Sequence, residues 1–456
     1  MKRWLLAPSL VAVSLLALCA VDDGPEPRRL NVVLITADTL RGDMVHDNAE
    51  IMTPNLDRLK REGLEFTRAY TPITTTLPAH ASLFTSLYPR DHRAYSNVSA
   101  LSNRVVTLPE VLRGEGWRTA AHINMPWLTA DVSNFPQGIQ NAHYTRIRKA
   151  DKTWPWVSEW LGGAAEKEDP FFLWMHLVDD HTPYHAPYSY EDMYYQGGKK
   201  GPGTPMKEIW KFFPPDHRES EPFLDWVGGI EDADYLVGTY KGSVTWVDAY
   251  VGLFMHRLQE LGEWDDTLFV FTSDHGESLG EHDLWFVHAG LYENTTHVPL
   301  VMRVPGGPSG QRVDTVVSLV DVMPTVLAAL GLPVPEEARG LDLLSLVGTQ
   351  GGGAAYLEHT GAQLEGVVTP RFKYIEHLKT TRIYAGYPMN AGTEELYDLE
   401  EDPGELNNLA ADHPEVVVTM RAELERLKAG ERGFEEEHGD IDEEVLKALH
   451  AMGYME

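Results

Sequence analysis

The sequence contains a single cysteine, Cys19, in 456 residues. No disulfide can therefore form within the chain, and no metal site can be built from several thiolates. Basic residues are also scarce, because 38 Lys and Arg stand against 69 Asp and Glu, which gives a formal net charge of −31. A surface this acidic repels polyanions, so we expect no binding of nucleic acid. The remaining composition, 43% hydrophobic and 23% charged, is that of an ordinary globular protein.

The N-terminal residues 1–20 predict a secretory signal, because Lys2 and Arg3 precede an apolar run from Trp4 to Ala20. The run is also long enough for a membrane-spanning helix, so an uncleaved anchor is an alternative. Residues 16–19 are similar to a bacterial lipobox, which would place a lipid on Cys19 and attach the protein to a membrane. In every case we expect an exported protein, periplasmic or membrane-anchored.

Buried strands alternate with helices along most of the chain. Nearly continuous apolar runs at 31–36, 170–178 and 267–272 are typical of strands buried on both faces. This alternation predicts an α/β fold, with a mostly parallel central sheet and helices on both faces. We expect a tether at 21–30, a main domain at 31–350, and a smaller C-terminal subdomain at 351–430 with an antiparallel sheet and a helix. An acidic tail follows at 431–456.

Acidic and histidine side chains follow three of the predicted strands. Asp38, Asp180 with His181, and Asp274 with His275 each stand where a strand ends. Ligands of such sheets bind outside the carboxyl ends of the strands. One Asp at a strand end is more often a helix cap, but three such ends together favour a divalent metal.

The stretch Thr74 to Thr85 offers a nucleophile beside such a metal. Thr76 precedes a helix-like run, and a metal would make its hydroxyl acidic enough to attack near neutral pH. The alternative is a threonine-rich loop whose hydroxyls cap the helix, since Thr74, Thr75 and Thr76 are locally interchangeable.

Several motifs in a fixed order resemble the sulfatase family of the alkaline phosphatase superfamily. They are NVVLITADTLRGD (31–43), TPNLDRLKREG (53–63), TLPAHASLFTS (76–86), FLWMHLVDDHTPY (172–184), FTSDHGESLGEH (271–282), LYENTTHVPLVMR (291–303) and ELYDLEEDPGELNNLA (395–410). The resemblance implies an ester hydrolase in which Asp38, Asp274 and His275 bind the metal together with Thr76, which stands at the nucleophile position.

The resemblance also implies roles for four further residues. His80 falls where the family has an Arg beside the nucleophile, and His181 matches a histidine that contacts the transferred group or the leaving oxygen. His288 lies near the position of a substrate-contacting Lys or His. Arg41 follows the first metal ligand, where it would help to fix that loop.

Thr76 departs from the family pattern. Typical sulfatases convert Cys or Ser at this position to formylglycine, and Thr76 cannot yield that aldehyde because its β-carbon carries a methyl group. The departure fits relatives that use Thr directly on phosphate esters or phosphonates with two metals. The candidates for a second metal are Asp180, His181, His185 and His288, with His176 and His282 in reserve.

We therefore expect an exported, metal-dependent hydrolase of small anionic esters of the sulfate or phosphate type. Its cofactor would be calcium if the enzyme is sulfatase-like, and one or two zinc ions if it is phosphohydrolase-like. One alternative is a two-metal phosphomonoester, phosphodiester or phosphonate hydrolase. Another is a catalytically silent metal-binding protein on the same fold. The aromatic residues between Tyr188 and Phe213 would either stack on a substrate ring or pack a long loop.

Overall fold

The computed structural model describes residues 29–438, except 146–148, 185, 214–217, 350, 360–362, 383–387 and 436, and it also describes residue 446. The predicted signal segment, most of the tether and most of the acidic tail lie outside the described residues. The predicted domain boundaries stay predictions. No helix in the described part of the chain has the length and apolar composition needed to cross a membrane.

The described strands, in chain order, are β1 (Asn31–Ala37), β2 (Leu64–Tyr70), β3 (Ser99–Ala100), β4 (Arg118–Ile123), β5 (Asn141–Tyr144), β6 (Phe171–Leu177), β7 (Thr267–Ser273), β8 (Ser278–Leu279), β9 (Trp285–Val287), β10 (His297–Arg303), β11 (Gln311–Val313), β12 (Val317–Ser318), β13 (Ala355–His359), β14 (Leu364–Val368), β15 (Phe372–His377), β16 (Thr381–Arg382), β17 (Pro388–Met389), β18 (Glu394–Asp398) and β19 (Glu437–His438).

The described α-helices are α1 (Pro54–Glu62), α2 (Thr76–Thr85), α3 (Pro89–His92), α4 (Leu108–Gly114), α5 (Ala130–Ser133), α6 (Ala150–Ala165), α7 (Tyr188–Glu191), α8 (Met206–Ile209), α9 (Glu221–Val227), α10 (Ala233–Glu260), α11 (Glu293–Thr296), α12 (Val322–Leu330) and α13 (Pro414–Lys428). Short 3-10 helices lie at Gly42–Met44, Pro126–Leu128, Trp210–Phe212, Trp264–Asp266, Glu281–Asp283, Leu319–Asp321 and Leu343–Leu346.

The central sheet is mostly parallel, as predicted. Its strand order is β11-β2-β10-β7-β1-β6-β4-β5, and β12 also pairs with β2. Among these strands β10 alone runs antiparallel to both neighbours, β7 and β2. Strand β1 lies between β6 and β7 and pairs in parallel with both. The carboxyl ends of these three strands therefore meet at the same edge of the sheet.

The apolar runs form the centre of the sheet because both of their faces are covered. Every residue of β1, β6 and β7 is buried. In β1, Val32 and Leu34 belong to the hydrophobic cluster on one face, whereas Val33 and Ile35 belong to the cluster on the other face. This arrangement confirms the predicted fold with helices on both faces. It also explains why apolar and polar residues do not alternate along these strands.

The C-terminal region contains the predicted antiparallel sheet and helix. Strands β13, β14, β15 and β18 pair in that order, and all of these pairs are antiparallel. One face of this sheet packs against α13. The other face packs against residues 284–292 of the main fold, where Leu291 belongs to the same hydrophobic cluster as Leu357 and Leu364. The C-terminal sheet therefore supports the segment that carries His288.

Candidate active site

Two neighbouring strand ends bring Asp38, Asp274 and His275 together. One ligand atom from each residue lies within 4.8 Å of the other two, and all three side chains are buried. Both carboxylate oxygens of Asp38, Oδ2 of Asp274 and Nε2 of His275 have no hydrogen-bond partner. Such atoms are costly to leave unpaired inside a protein. Two carboxylates and an imidazole that converge in this way fit a divalent cation.

Backbone groups fix how these ligand atoms point. Nδ1 of His275 lies 3.1 Å from the carbonyl oxygen of Gly276 and therefore donates to it, so Nε2 carries the lone pair. Nε2 is 3.4 Å from Oδ2 of Asp274 and 3.8 Å from Oδ1 of Asp38. Oδ1 of Asp274 accepts from the backbone N–H groups of Thr39 and His275, which leaves Oδ2 for a ligand.

The electrostatics of this centre favour an added positive charge. Burial raises the pKa of Asp38, and the neighbouring His181 and His275 oppose that shift. Burial also raises the pKa of Asp274, and the charge of Asp38 raises it further. Two carboxylates in one dry site repel each other when both are ionised, and a divalent cation removes that repulsion.

Thr76 is the first residue of α2, and its side chain is fully buried. Its carbonyl oxygen accepts a hydrogen bond of 2.8 Å from Nδ1 of His80, one turn along the helix. The same Nδ1 is 3.7 Å from Oδ2 of Asp274. His80 therefore links the start of α2 to the metal-ligand group. Thr75 is the N-cap residue, and its side chain makes no capping hydrogen bond.

His80 differs from the cationic Arg that the family carries at this position. Nδ1 donates to Thr76, so Nε2 accepts from the Thr36 hydroxyl at 3.0 Å, and this hydroxyl accepts in turn from the Trp174 indole. Burial lowers the pKa of His80 to about 3. The imidazole is therefore neutral at physiological pH, and its two nitrogens hold α2 against the sheet.

Two residues near the centre were not predicted as main ligands. His176, which the sequence offered only in reserve, has Nε2 at 3.3 Å from Oδ2 of Asp38. The sequence signal for His176 is a histidine within the apolar run of β6. Lys149 was not predicted at all. Its Nζ donates to the carbonyl oxygens of Val178 and Pro183, at 3.1 and 3.4 Å.

The charge of Lys149 is close to the acidic end of β6. Burial lowers its pKa, whereas the charges of Asp179, Asp180 and Asp38 raise it. Burial raises the pKa of Asp180 well above its usual value, and both of its carboxylate oxygens lack a hydrogen-bond partner. The charges of Asp179 and Asp38 raise the pKa of Asp180 further, and the charge of Lys149 opposes them.

Two of the residues proposed for a second metal, His181 and His288, lie near His275. The His288 ring is 4.6 Å from the His275 ring and 5.6 Å from the His181 ring. Within the described part of the chain, Asp180, His181 and His288 do not form a second group with ligand atoms within 4.8 Å of one another. His185 lies outside the described residues, so the second metal stays a prediction.

Comparison with family models identifies the chain. The model described as Sulfatase matches residues 30–332, about two thirds of the sequence, and includes every residue of the candidate metal centre. The chain belongs to the sulfatase family. It is therefore an ester hydrolase of the alkaline phosphatase superfamily, as the motifs predicted. A second model, N-sulphoglucosamine sulphohydrolase, C-terminal, matches residues 280–430.

The sulfatase relatives match along nearly their whole length. An arylsulfatase of Clostridium perfringens is 26% identical over 89% of this chain and 95% of its own. Human arylsulfatase K is 26% identical over 93% of this chain and 87% of its own. The solved phosphonate monoester hydrolase of Agrobacterium radiobacter has 24% identity and a TM-score of 0.67, covering 88% of this chain and 96% of its own. This last likeness shows the fold.

Arg41 of this sulfatase-family chain points away from the metal-ligand group. Its Nε and Nη2 donate to the Asp43 carboxylate at 2.9 and 2.8 Å. Its Nη1 donates to Glu281 at 2.7 Å and to the carbonyl oxygen of Glu277 at 3.3 Å. Arg41 thus connects the loops that follow β1 and β7, and the role predicted for it at the site stays a prediction.

The aromatic insertion is used for packing. Phe213, Phe223 and Trp226 are buried in the hydrophobic cluster that contains Tyr184 and Phe286. The Trp226 ring lies 5.3 Å from Tyr184 and 5.9 Å from Phe286. Of the aromatic residues between Tyr188 and Phe213, Phe213 is buried in this cluster, and the partly buried ones that pack against it are Tyr194, Tyr195, Trp210 and Phe212. For these residues the structure supports the packing alternative over stacking on a substrate.

Proposed function

We propose that this protein hydrolyses small anionic esters of the sulfate or phosphate type, with the Thr76 hydroxyl as nucleophile and a divalent cation on Asp38, Asp274 and His275. One observation carries the proposal. Thr76 begins a buried helix, Nδ1 of His80 donates to the Thr76 carbonyl oxygen, and the same Nδ1 lies 3.7 Å from Oδ2 of Asp274 in the cation-binding group.

The cation supplies positive charge that makes the Thr76 hydroxyl more acidic and attracts the anionic ester. The Thr76 hydroxyl gives up its proton, Oγ1 bonds to the sulfur or phosphorus atom, the bond from that atom to the alcohol oxygen breaks, and the leaving oxygen takes up one proton. Water then cleaves the threonine ester and restores the hydroxyl. The positive end of α2 favours anions at this position. His181 and His288, beside His275, hold the transferred oxygens or protonate the leaving alcohol.

A threonine at position 76 favours phosphate-type esters over sulfate esters as the substrates in this proposal. A threonine has no route to formylglycine, so its own oxygen must attack, as in phosphoryl-transferring relatives. Solved structures of similar fold include phosphonate monoester hydrolases as well as a protein bound to its substrate D-glucosamine-2-N,6-O-disulfate. In our proposal the cation is zinc if phosphate-type esters are the substrates, and calcium if sulfate esters are.

A paired assay on one metal-analysed preparation tests the proposal. The substrates are 4-nitrophenyl sulfate, 4-nitrophenyl phosphate, bis-4-nitrophenyl phosphate and 4-nitrophenyl phenylphosphonate. We expect turnover of at least one ester, lost on chelation and restored by one divalent cation. Bound cation without turnover of any ester would instead favour the silent metal-binding protein.

We also propose that the protein is exported, on the basis of the basic and then apolar residues 1–20. Mass spectrometry of protein from a cell-envelope fraction tests this, because cleavage or lipidation at Cys19 changes the N-terminal mass. Full-length unmodified protein in the cytoplasmic fraction would contradict export.

A further inference from the structure

Glu277 lies three residues after Asp274 and is completely buried. Its backbone N–H donates to the carbonyl oxygen of Asn294 at 3.0 Å, and its own carbonyl oxygen accepts from Arg41. Its Oε2 accepts from the Tyr184 hydroxyl at 3.0 Å. Both backbone polar groups and one carboxylate oxygen are therefore held in place.

The other carboxylate oxygen faces His288. Oε1 of Glu277 has no hydrogen-bond partner and lies 3.9 Å from Nδ1 of His288. The centre of the His288 ring is 4.6 Å from the centre of the ring of His275, which belongs to the candidate metal centre. One imidazole therefore neighbours both the Glu277 carboxylate and a residue of the candidate metal centre.

The segment before His288 has an unusual backbone that must be held by packing. His282, Asp283 and Phe286 have φ values of 54°, 58° and 55°, in the left-handed region. A bulky residue such as Phe adopts this conformation only when its surroundings impose it. The Phe286 ring is 6.0 Å from Tyr184 and 5.9 Å from Trp226, so these two aromatic residues pack against this segment.

We propose that Glu277, itself held by Tyr184, is a positioning residue that fixes the ring orientation and tautomer of His288. The inference rests on the proposed function, in which His288 contacts the transferred group or the leaving alcohol. The charge of a carboxylate 3.9 Å from Nδ1 favours the tautomer in which Nδ1 carries the hydrogen, and it keeps Nδ1 turned towards Glu277. Nε2 of His288 is then directed to the substrate in a single protonation pattern.

A double-mutant cycle tests the proposal on the full-length protein. Glu277→Gln should lower kcat about tenfold with little change in KM, because the ring is still present but no longer fixed. Tyr184→Phe should produce a smaller loss of the same kind. In a His288→Ala background neither substitution should lower kcat further. Full additivity of the two losses would overturn the proposal, since Glu277 would then act independently of His288.

Two controls separate positioning from general damage. Tyr194→Phe removes the hydroxyl of a tyrosine ten residues further along the chain than Tyr184, which bonds Thr245 and the Met52 N–H, and it should leave kcat unchanged. Metal content of Glu277→Gln should equal that of the wild type. Loss of the metal in Glu277→Gln would assign the residue to the metal centre and overturn the proposal.

A second measurement does not depend on turnover. ¹⁵N imidazole shifts of His288, assigned by comparison with His288→Gln, should show one tautomer in the wild type and a mixture in Glu277→Gln. Identical spectra would overturn the positioning role. If no ester is turned over, the proposed function fails, and the tautomer measurement still decides this inference.

Discussion

The backbone N–H of Thr39 donates to Oδ1 of Asp274 at 3.2 Å, although 235 residues separate the two. Thr39 adopts a left-handed backbone, with φ of 63°, to make this bond. The loop after β1 is thereby locked to the loop after β7. The consequence is a carboxylate with one oxygen fixed by the backbone and the other available to a cation.

Asp274→Asn should therefore preserve the fold and lose the cation. The Asn side-chain oxygen still accepts from Thr39, but the negative charge at the ligand position is gone. We expect cation affinity to fall by at least about tenfold. Metal analysis after equilibrium dialysis measures this. Asp283→Asn, a change at an exposed and left-handed position, is the matched control and should keep full metal content.

Substitutions at Thr76 should distinguish loss of the nucleophile, which lowers kcat, from loss of the bound cation. Thr76→Ala should reduce kcat by at least about a thousandfold while the cation remains bound, and Thr76→Ser should retain part of the activity. Thr75→Ala is the control, because the Thr75 side chain makes no capping hydrogen bond. Comparable activity of Thr76→Ala and the wild type would remove Thr76 from the mechanism.

Asp248 stabilises the start of α1 from the distant helix α10. Its Oδ1 accepts from the backbone N–H groups of Asn55 and Leu56 at 3.0 and 2.7 Å. Since Asp248→Ala leaves these N–H groups unpaired, we expect the free energy of unfolding to fall by about 2 kcal/mol. Urea unfolding measures it. Asp57→Ala, at a half-exposed position of the same helix, should cost far less.

Glu358 should make the protein less stable as the pH rises. Burial raises its pKa to about 8 in the folded state, and the neighbouring Glu365 raises it as well. Because the folded state holds this proton more tightly than the unfolded state, stability falls from about pH 4.5 to pH 8, by up to about 1.4 kcal/mol per pH unit.

Glu358→Gln should remove that contribution, so the variant gains stability relative to the wild type as the pH increases. Urea unfolding at intervals between pH 5 and pH 9 gives the difference. The exposed Glu415→Gln change on α13 should give a profile parallel to that of the wild type. Parallel profiles for Glu358→Gln would show that the carboxyl is already ionised at low pH.

Asp38 and Asp274 could be predicted as partners because each follows an uninterrupted apolar run. Such runs form neighbouring parallel strands, and the register of β1 with β7 then places the two residues side by side. Lys149 could not be predicted in this way, because its contacts with Val178 and Pro183 depend on how α6 packs on the sheet. The relation of Glu277 to His288 depends likewise on a strained loop and on the aromatic residues that hold it.

The C-terminal sheet also limits which C-terminal regions can replace it in this protein. Its inner face and residues 284–292 form one hydrophobic cluster, and Lys373 of β15 lies 2.6 Å from Glu293 and 3.1 Å from Glu405. If the C-terminal region were replaced by that of a relative, its side chains would not match residues 284–292, the segment that carries His288. Chimeras should therefore work only when both halves of this cluster come from the same parent, so the two regions are expected to evolve as one unit rather than as interchangeable modules.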